Sequence, residues 1–192
     1  KSKRKLFIRI RAAAPKRDRQ RRNIQRYRGG NVKPKVLLVG EHPHGITGNC
    51  NMMMELLNRA DHSKFDITVY AGTKGLINNE FKEKIPCELI EGGLPGKEFI
   101  KDDLVSYLNS VKYLDSIIFV GIDIWMYQDI AETIINNRQR LGFKWASIFP
   151  YDLISVRKDY AELLNLMDFP CVYSKYGYNL LKDHVKNLRY FR

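Results

Sequence analysis

Beyond residue 35, short apolar runs alternate with amphipathic stretches of helical length. Continuous runs such as VLLVG and SIIFVG suit strands that are buried on both faces, as parallel sheets require. We predict strands at residues 36–40, 65–71, 87–90, 116–120, 143–149, 171–174 and 188–191. We predict helices at residues 49–59, 97–113, 125–140, 157–167 and 175–186. This alternation predicts an α/β domain, built on a doubly wound, mainly parallel and Rossmann-like sheet with right-handed crossovers.

The first 35 residues have a different composition, and we interpret them as a basic arm. They contain 15 Lys and Arg residues but a single acid, Asp18, which gives a net charge of +14. The remaining residues have 18 basic and 20 acidic side chains, so the excess charge of the chain lies in the arm. The stretch GGNVKP at residues 29–34 is a linker signal. We therefore divide the chain into an arm and linker, residues 1–35, and one domain, residues 36–192.

The arm has the composition of a segment that binds nucleic acid or another acidic surface. Arginine outnumbers lysine in it, which favours bidentate contacts with phosphate. A solvated tail is the alternative, because charge runs are common in disordered segments. The residues that we expect to contact nucleic acid are Arg17, Arg19, Arg21, Arg22, Arg26 and Arg28.

Hydropathy and cysteine usage indicate where the chain resides. No apolar run approaches the roughly 20 residues that a membrane helix needs, so we expect no membrane span. The N-terminal segment also lacks the apolar region of a secretory signal. Cys50, Cys87 and Cys171 lie far apart and form no paired motif, which is typical of free thiols in a reducing compartment. We therefore expect an intracellular protein, in the cytoplasm or, for a viral source, in the virion.

The loop after the first strand, EHPHGITGN at residues 41–49, is the first candidate site. Its glycines have P-loop spacing, but Ile46 and Thr47 stand where a P-loop has Lys and Ser or Thr. A G-x-G-x-x-G dinucleotide pattern is also absent. Backbone N–H groups in a glycine-containing loop at a helix start still suit an anion or a hydroxyl-rich ligand, and a tight connection without a ligand is the alternative. The candidate binding residues are Gly45, Thr47, Gly48 and Asn49.

The same loop contains Glu41, His42 and His44, which are residue types that bind metals. No H-E-x-x-H motif and no distant Cys/His set completes a site, so we predict no metal. His44 is instead a candidate catalytic acid or base, because histidine titrates near neutral pH. The alternative is that the histidines only shape the loop.

Two later strands end in polar side chains on the same edge of the predicted sheet. VGIDIW places Asp123 just beyond one strand, and FPYD places Tyr151 and Asp152 beyond another. Ligands of open α/β sheets bind beyond the carboxyl ends of the strands. Asp123 is therefore a second catalytic candidate, and Tyr151 and Asp152 are candidate binding residues. Aspartate at such a position also serves as a helix cap, which is the structural alternative.

In order and spacing, these segments resemble the N-terminal half of GT-B glycosyltransferases, especially the large retaining group called family 4. KVLLVG and the glycine-containing loop are similar to the first strand–loop–helix unit of that group. FDITVYAG, LDSIIFVGID and WASIFPYD are similar to later strands of the family. In MDFPCVYSKYGYNLLKDH, as in the family, a serine ends a strand and a helix follows. This last likeness adds Ser174 and Tyr176 as candidate binding residues beside the cleft.

The chain also departs from the family pattern. The family often has a histidine after its fourth strand, whereas this chain has Gly121 and Asp123 there. Tyr151-Asp152 stands where the family has a His-Asp pair. The family's second Rossmann domain, which makes most of the nucleotide-sugar contacts, has no counterpart among these 192 residues.

The resemblance implies the acceptor-side domain of a metal-independent glycosyltransferase, which moves a sugar from a nucleotide sugar to a hydroxyl acceptor. The nucleotide sugar would be a co-substrate, with no tightly bound cofactor, and a second domain or chain would supply the donor site. One alternative is a non-catalytic Rossmann-like protein, anchored by its basic arm in a nucleic-acid-rich assembly such as a ribosome or virion. Another is a receptor or nucleotide-binding domain of flavodoxin type, in which Thr47 would contact a phosphate.

Overall fold

The structure, a computed structural model, describes residues 32–73, 84–92 and 101–191. Within these ranges strands and helices alternate. The strands are β1 (Lys35–Glu41), β2 (Asp66–Thr73), β3 (Glu88–Glu91), β4 (Ser116–Val120), β5 (Lys144–Phe149), β6 (Phe169–Val172) and β7 (Arg189–Tyr190). The helices are α1 (Gly48–Arg59), α2 (Lys101–Ser110), α3 (Ile124–Leu141), α4 (Lys158–Leu164) and α5 (Lys175–Leu181).

The strands form one seven-stranded sheet in the order β3-β2-β1-β4-β5-β6-β7. Every pair of neighbouring strands is parallel. The chain moves outward from β1 to β3, crosses the sheet, and moves outward again from β4 to β7. This confirms the doubly wound, Rossmann-like α/β class, with a topological switch point between β1 and β4.

Helices cover the sheet on both faces, because crossovers that move in opposite directions place their helices on opposite sides. On one face α1 packs Met53 and Leu57 against residues of β1 and β2, including Leu38 and Val69. The other face carries the larger core, to which α2, α3, α4 and α5 all contribute. The buried aromatic residues of this larger core are Tyr70, Phe119, Phe143, Trp145, Phe149, Tyr151 and Tyr160.

The predicted strand at residues 171–174 is β6, which begins earlier, at Phe169. Proline lacks the backbone N–H that a ladder uses, so Pro170 counts against a strand in the sequence pattern. In the structure β7 pairs with β6 only from Cys171 onward, so Pro170 lies at an edge position where proline is tolerated.

Two sets of predictions fall outside the described residues. One is residues 97–100, the start of the second predicted helix. The other is the arm up to residue 31, which includes all the nucleic-acid candidates from Arg17 to Arg28. Within the described ranges, no helix combines the length and the apolar character needed to cross a membrane.

Candidate functional site

The carboxyl ends of β1, β4, β5 and β6 bring the sequence-predicted residues to one edge of the sheet. These strands are consecutive in the sheet, and the loops after them lead into α1, α3, α4 and α5. Between β1 and β4 the following helices leave on opposite faces, which opens a crevice at the switch point. Ligands of open α/β sheets bind in such a crevice.

The loop after β1 is organised around the carboxylate of Glu41. The β1–β2 ladder is irregular between Gly40 and Glu41, a feature that re-aims side chains at strand ends. The hydroxyl of Thr47 donates to Oε2 of Glu41, and the side-chain amide of Asn49 donates to Oε1 at 3.2 Å. The thiol of Cys50 donates to Oε2 at 3.2 Å. Thr47 and Asn49, which the sequence analysis assigns to a ligand, therefore both donate to a carboxylate of the chain itself.

Glu41 also lies beside the start of α1. Thr47 is the N-cap of that helix, and its hydroxyl oxygen accepts the backbone N–H of Cys50 at 3.2 Å. A negative charge is favourable at a helix N-terminus, and Glu41 supplies one there. An external phosphate at the same place would meet that charge, so the loop is poorly suited to hold a diphosphate.

Three glycines shape the switch point in different ways. A Cβ on Gly45 would lie 2.2 Å from Sγ of Cys50, so this position needs glycine for close packing. Gly121 has a φ of +66°, and a Cβ there would lie 2.6 Å from the side chain of Asn49. Gly121 therefore allows the end of β4 to approach the start of α1. A Cβ on Gly48 would meet nothing within 4 Å, which leaves the outer side of this helix start open.

His42 and His44 form a pair beside the loop. His42 is 4% exposed, and its Nδ1 accepts the backbone N–H of His44 at 3.1 Å. The proton of the neutral His42 ring is therefore on Nε2, which lies 3.5 Å from Oε1 of Glu91. Burial lowers the pKa of His42, and the nearby carboxylate of Glu91 opposes that effect only in part. The catalytic candidate His44 packs edge-on against His42, with ring centroids 5.6 Å apart, and its Nε2 is shielded from solvent.

Asp123 and Asp152 lie at the ends of β4 and β5, and both side chains are exposed. Asp123 is the N-cap residue of α3 but makes no capping hydrogen bond. Its Oδ2 accepts the indole N–H of Trp125 at 3.1 Å. Burial raises the pKa of Tyr173, and the charges of Asp152 and Asp123 raise it further. Asp123, Asp152 and Tyr173 follow β4, β5 and β6, which are consecutive in the sheet, so the three side chains belong to neighbouring loops of the carboxyl edge.

Tyr151 does not lie on this exposed edge, contrary to its predicted position. It is 2% exposed, because it continues the inward-facing alternation of Phe149. Its hydroxyl donates to the carbonyl of Ser155 at 3.1 Å and accepts the N–H of Arg157 at 3.3 Å. Tyr151 therefore holds the β5–α4 loop from inside.

Ser174 and Tyr176 both lie at the start of α5. Ser174 is the N-cap, and its hydroxyl oxygen accepts the backbone N–H of Gly177 at 2.9 Å. The hydroxyl of Tyr176 donates to the carbonyl of Leu153 at 3.0 Å, while its side chain remains exposed. The Ser174 side chain is thus engaged by its own helix, whereas the Tyr176 ring stays exposed beside the β5–α4 loop.

The sequence patterns do not select Glu41, Glu91 or Tyr173 as binding residues. Glu91 ends β3 and Tyr173 follows β6, so each has the carboxyl-end position that marks ligand sites in this fold. The order of strands in the sheet decides which residues lie beside Glu41, Glu91 and Tyr173. A short sequence pattern does not contain that order. Position at a strand end is the signal that points to them.

Two further observations concern other kinds of site. Within the described part of the chain, no group of three or more His, Cys, Asp or Glu side chains is arranged to hold a metal ion. A pocket of about 310 Å³ lies at the opposite, amino edge of the sheet, beside the starts of β1 and β3. Its lining residues are Lys35, Glu88, Tyr107, Ser110, Val111, Lys112 and Tyr113.

Comparison of the chain with family models, with curated proteins and with solved structures finds no match. The sequence resemblance and the geometry of the carboxyl edge are therefore the basis for a functional proposal.

Proposed function

We propose that residues 36–192 form the acceptor-binding half of a GT-B-type glycosyltransferase, and that a second domain or chain binds the nucleotide sugar. The observation that carries this proposal is the switch-point crevice of a wholly parallel sheet, flanked by Asp123 and Asp152. Carboxylates accept hydrogen bonds from hydroxyl groups, which suits a hydroxyl acceptor at this edge.

The carboxylate of Glu41 supports the assignment of the donor site to another domain. Thr47 and Asn49 each donate a side-chain hydrogen bond to Glu41, so a carboxylate of the chain itself already lies at the start of α1. The donor's diphosphate would be held elsewhere, and Gly48 would line the acceptor side of the cleft.

In the proposed reaction, an acceptor hydroxyl oxygen forms a bond to the anomeric carbon of the donor sugar. The bond from that carbon to the diphosphate oxygen breaks, and the nucleoside diphosphate leaves. The hydroxyl proton passes to a base, for which exposed Asp123 is better placed than His44, whose Nε2 is shielded from solvent. Asp152, Tyr173 and Tyr176 would orient the acceptor.

The test is sugar transfer by the protein as purified from its natural source, with any chain that accompanies it. We expect a donor-binding domain, either continuous with this one or on a partner chain, and transfer of labelled sugar to a hydroxyl acceptor. Asp123→Asn should lower kcat by roughly 100- to 10,000-fold, the usual contribution of a general base. Asp61→Asn, on the loop before β2, is the matched control. Natural protein without a donor-binding domain, or transfer unaffected by Asp123→Asn, would contradict the proposal.

The separation of charge along the sequence favours a second candidate function, anchoring in a nucleic-acid-rich assembly. A net charge of +14 in residues 1–35, beside −2 in the remainder, gives the arm the electrostatic character of a polyanion binder. The Rossmann-like domain would then be a non-catalytic scaffold.

Salt dependence distinguishes this second candidate. Binding of single- and double-stranded RNA should weaken steeply as salt rises, because each neutralised phosphate releases counterions. Deletion of residues 1–35 should abolish that binding. Affinity that is equal at low and high salt, or unchanged by the deletion, would exclude the anchoring role.

A further inference from the structure

An apolar rim lies around the carboxyl-edge crevice. We define the apolar rim as the exposed large side chains Ile46, Trp125, Leu153, Ile154 and Tyr176. Ile154 is 93% exposed, more than any other large apolar side chain in the described residues. Isolated exposed apolar residues are common, but a cluster bordered by polar groups marks a binding surface.

The sheet order brings the rim residues together. Ile46 follows β1, Trp125 follows β4, Leu153 and Ile154 follow β5, and Tyr176 follows β6. These strands are consecutive, and neighbouring strands lie about 4.8 Å apart, so their loops span roughly 15 Å. The hydrogen bond from Tyr176 to the Leu153 carbonyl joins two of the loops directly. The surface is therefore long enough for an extended apolar group.

Two exposed carboxylates lie beside this rim, and the start of α5 adds one exposed cation, Lys175. Asp123 and Asp152 are exposed and follow the adjacent strands β4 and β5, and Tyr173 follows the next strand, β6. The cation on the β5–α4 loop, Arg157, is paired with Asp159 at 2.6 Å and stacks over Tyr160. Carboxylates repel anions and accept hydrogen bonds from hydroxyl groups, so charge complementarity favours a neutral, hydroxyl-bearing head group.

We infer that the acceptor is an amphiphile, with a neutral polyhydroxyl head between Asp123, Asp152 and Tyr173 and an apolar tail along the apolar rim. This inference rests on the proposed function and names the class of its acceptor. A wholly polar acceptor would leave Ile154 and Leu153 without a role. The two carboxylates would repel an anionic amphiphile. Lys175, at the start of α5, would attract one, so the test includes a probe with an anionic head.

The experiment measures binding of small probes to the full chain by calorimetry. The probes are the methyl and hexyl β-glycosides of glucose, galactose and mannose, together with hexyl phosphate. Burying an additional methylene is worth about 0.8 kcal/mol, so even partial burial of the hexyl tail should tighten binding at least about tenfold over the methyl glycoside. Hexyl phosphate should bind more weakly than the best hexyl glycoside.

Variants locate the binding. Ile154→Ser and Trp125→Ala should remove most of the preference for hexyl over methyl, whereas Asp152→Asn should weaken both glycosides and improve hexyl phosphate. Phe65→Ser is the matched control, since Phe65 is also an exposed apolar residue but precedes β2 at the opposite edge. It should leave the preference unchanged. Because all these side chains are exposed, the variants should fold.

Each other outcome overturns the inference. Equal binding of methyl and hexyl glycosides would mean that the rim takes no tail, and this result would leave the proposed glycosyltransferase function intact. Tighter binding of hexyl phosphate would exclude the neutral head. Failure of all three hexyl glycosides to bind would exclude the amphiphile, whereas the proposed function fails separately if the natural protein transfers no sugar.

Discussion

At the scale of single residues, Glu41 changes the meaning of the glycine-containing loop. The spacing of glycines predicts a loop that receives an anion, and the loop does receive one, from its own strand. Thr47, Asn49 and Cys50 all donate to this carboxylate. Removal of the Glu41 charge should therefore expose the anion-binding character of the helix start.

Glu41→Gln tests this view of the loop. We expect the start of α1 to bind pyrophosphate weakly in the unmodified chain and on the order of tenfold more tightly in Glu41→Gln, because a charge near a helix N-terminus is worth about 1 kcal/mol. The amide shifts of residues 45–49 during titration with pyrophosphate measure the change at this site, with Glu55→Gln on the exposed side of α1 as the control. Equal pyrophosphate affinities of Glu41→Gln and the unmodified chain would show that the charge of Glu41 does not hinder anion binding at the start of α1.

Gly121 and Gly142 form a matched pair for the close approach at the switch point. Both have positive φ, +66° and +81°, so alanine costs about 1–2 kcal/mol of backbone strain at either position. Only at Gly121 would the new Cβ also meet Asn49. Gly121→Ala should therefore cost roughly 1–3 kcal/mol more than Gly142→Ala in urea denaturation, from overpacking. The same loss of stability in both variants would mean that the packing against Asn49 relaxes freely.

His42 gives the fold a specific pH dependence. Burial lowers its pKa below 6.5, so the unfolded chain takes up this proton first as the pH falls. The stability contributed by neutral His42 is therefore complete above pH 6.5 and is lost as the pH falls from 6.5 through the folded-state pKa. The free energy of unfolding of His42→Asn should vary less over that range than that of the unmodified chain.

Glu91→Gln provides the comparison for His42. The charge of Glu91 raises the pKa of His42, so its removal should lower that pKa further and deepen the loss of stability in acid. Urea denaturation above pH 6.5 and below it measures both variants. Parallel pH profiles for His42→Asn and the unmodified chain would contradict the assignment.

At the scale of elements, two helix starts that look alike in sequence differ in the structure. Ser174 and Asp123 both occupy N-cap positions after a buried strand. Ser174 makes the capping bond to Gly177, whereas Asp123 makes none. The residue type suggests a cap in both cases, and only the side-chain geometry separates the capping serine from the aspartate whose carboxylate is exposed and makes no cap.

Alanine substitutions separate these two roles. Ser174→Ala should lower the free energy of unfolding by about 1 kcal/mol, the usual value of an N-cap, and leave glycoside affinity unchanged. Asp123→Ala should change stability by less than about 0.5 kcal/mol and weaken glycoside binding. Urea denaturation and calorimetry of both variants are the measurements. A reversal, with Ser174→Ala weakening binding at unchanged stability, would return Ser174 to the list of ligand contacts.

The elements themselves follow closely from the sequence, because hydrophobic periodicity reports burial directly. The strand at Ser116–Val120 has the predicted bounds. The sequence does not predict where one part of the chain forms hydrogen bonds with the polar groups of another. The hydroxyl of Tyr151 donates a hydrogen bond to the backbone of its own loop, and the side chains of Thr47 and Asn49 donate hydrogen bonds to Glu41. Such pairings depend on the distances between elements that are separate in sequence.

At the scale of the whole molecule, the proposed function depends on the switch point of the sheet. A wholly parallel sheet with order β3-β2-β1-β4-β5-β6-β7 gathers Asp123, Asp152 and Tyr173 at one edge and places Glu41 beside them. Under the proposed function, this edge would bind an acceptor with hydroxyl groups, and another domain would bind the donor's diphosphate. The apolar rim would then contact the tail of the acceptor.

Amide chemical-shift mapping of the full chain, with hexyl glucoside and UDP-glucose as separate titrants, shows whether this domain binds the acceptor rather than the donor. We expect hexyl glucoside to shift amides in the loops after β4, β5 and β6, near Asp123, Asp152 and Tyr173. We expect UDP-glucose to leave the amides at the start of α1, from Gly45 to Asn49, unshifted. Glucoside shifts confined to the amino edge of the sheet, or UDP-glucose shifts centred on Gly45 to Asn49, would contradict the claim that this domain is the acceptor half.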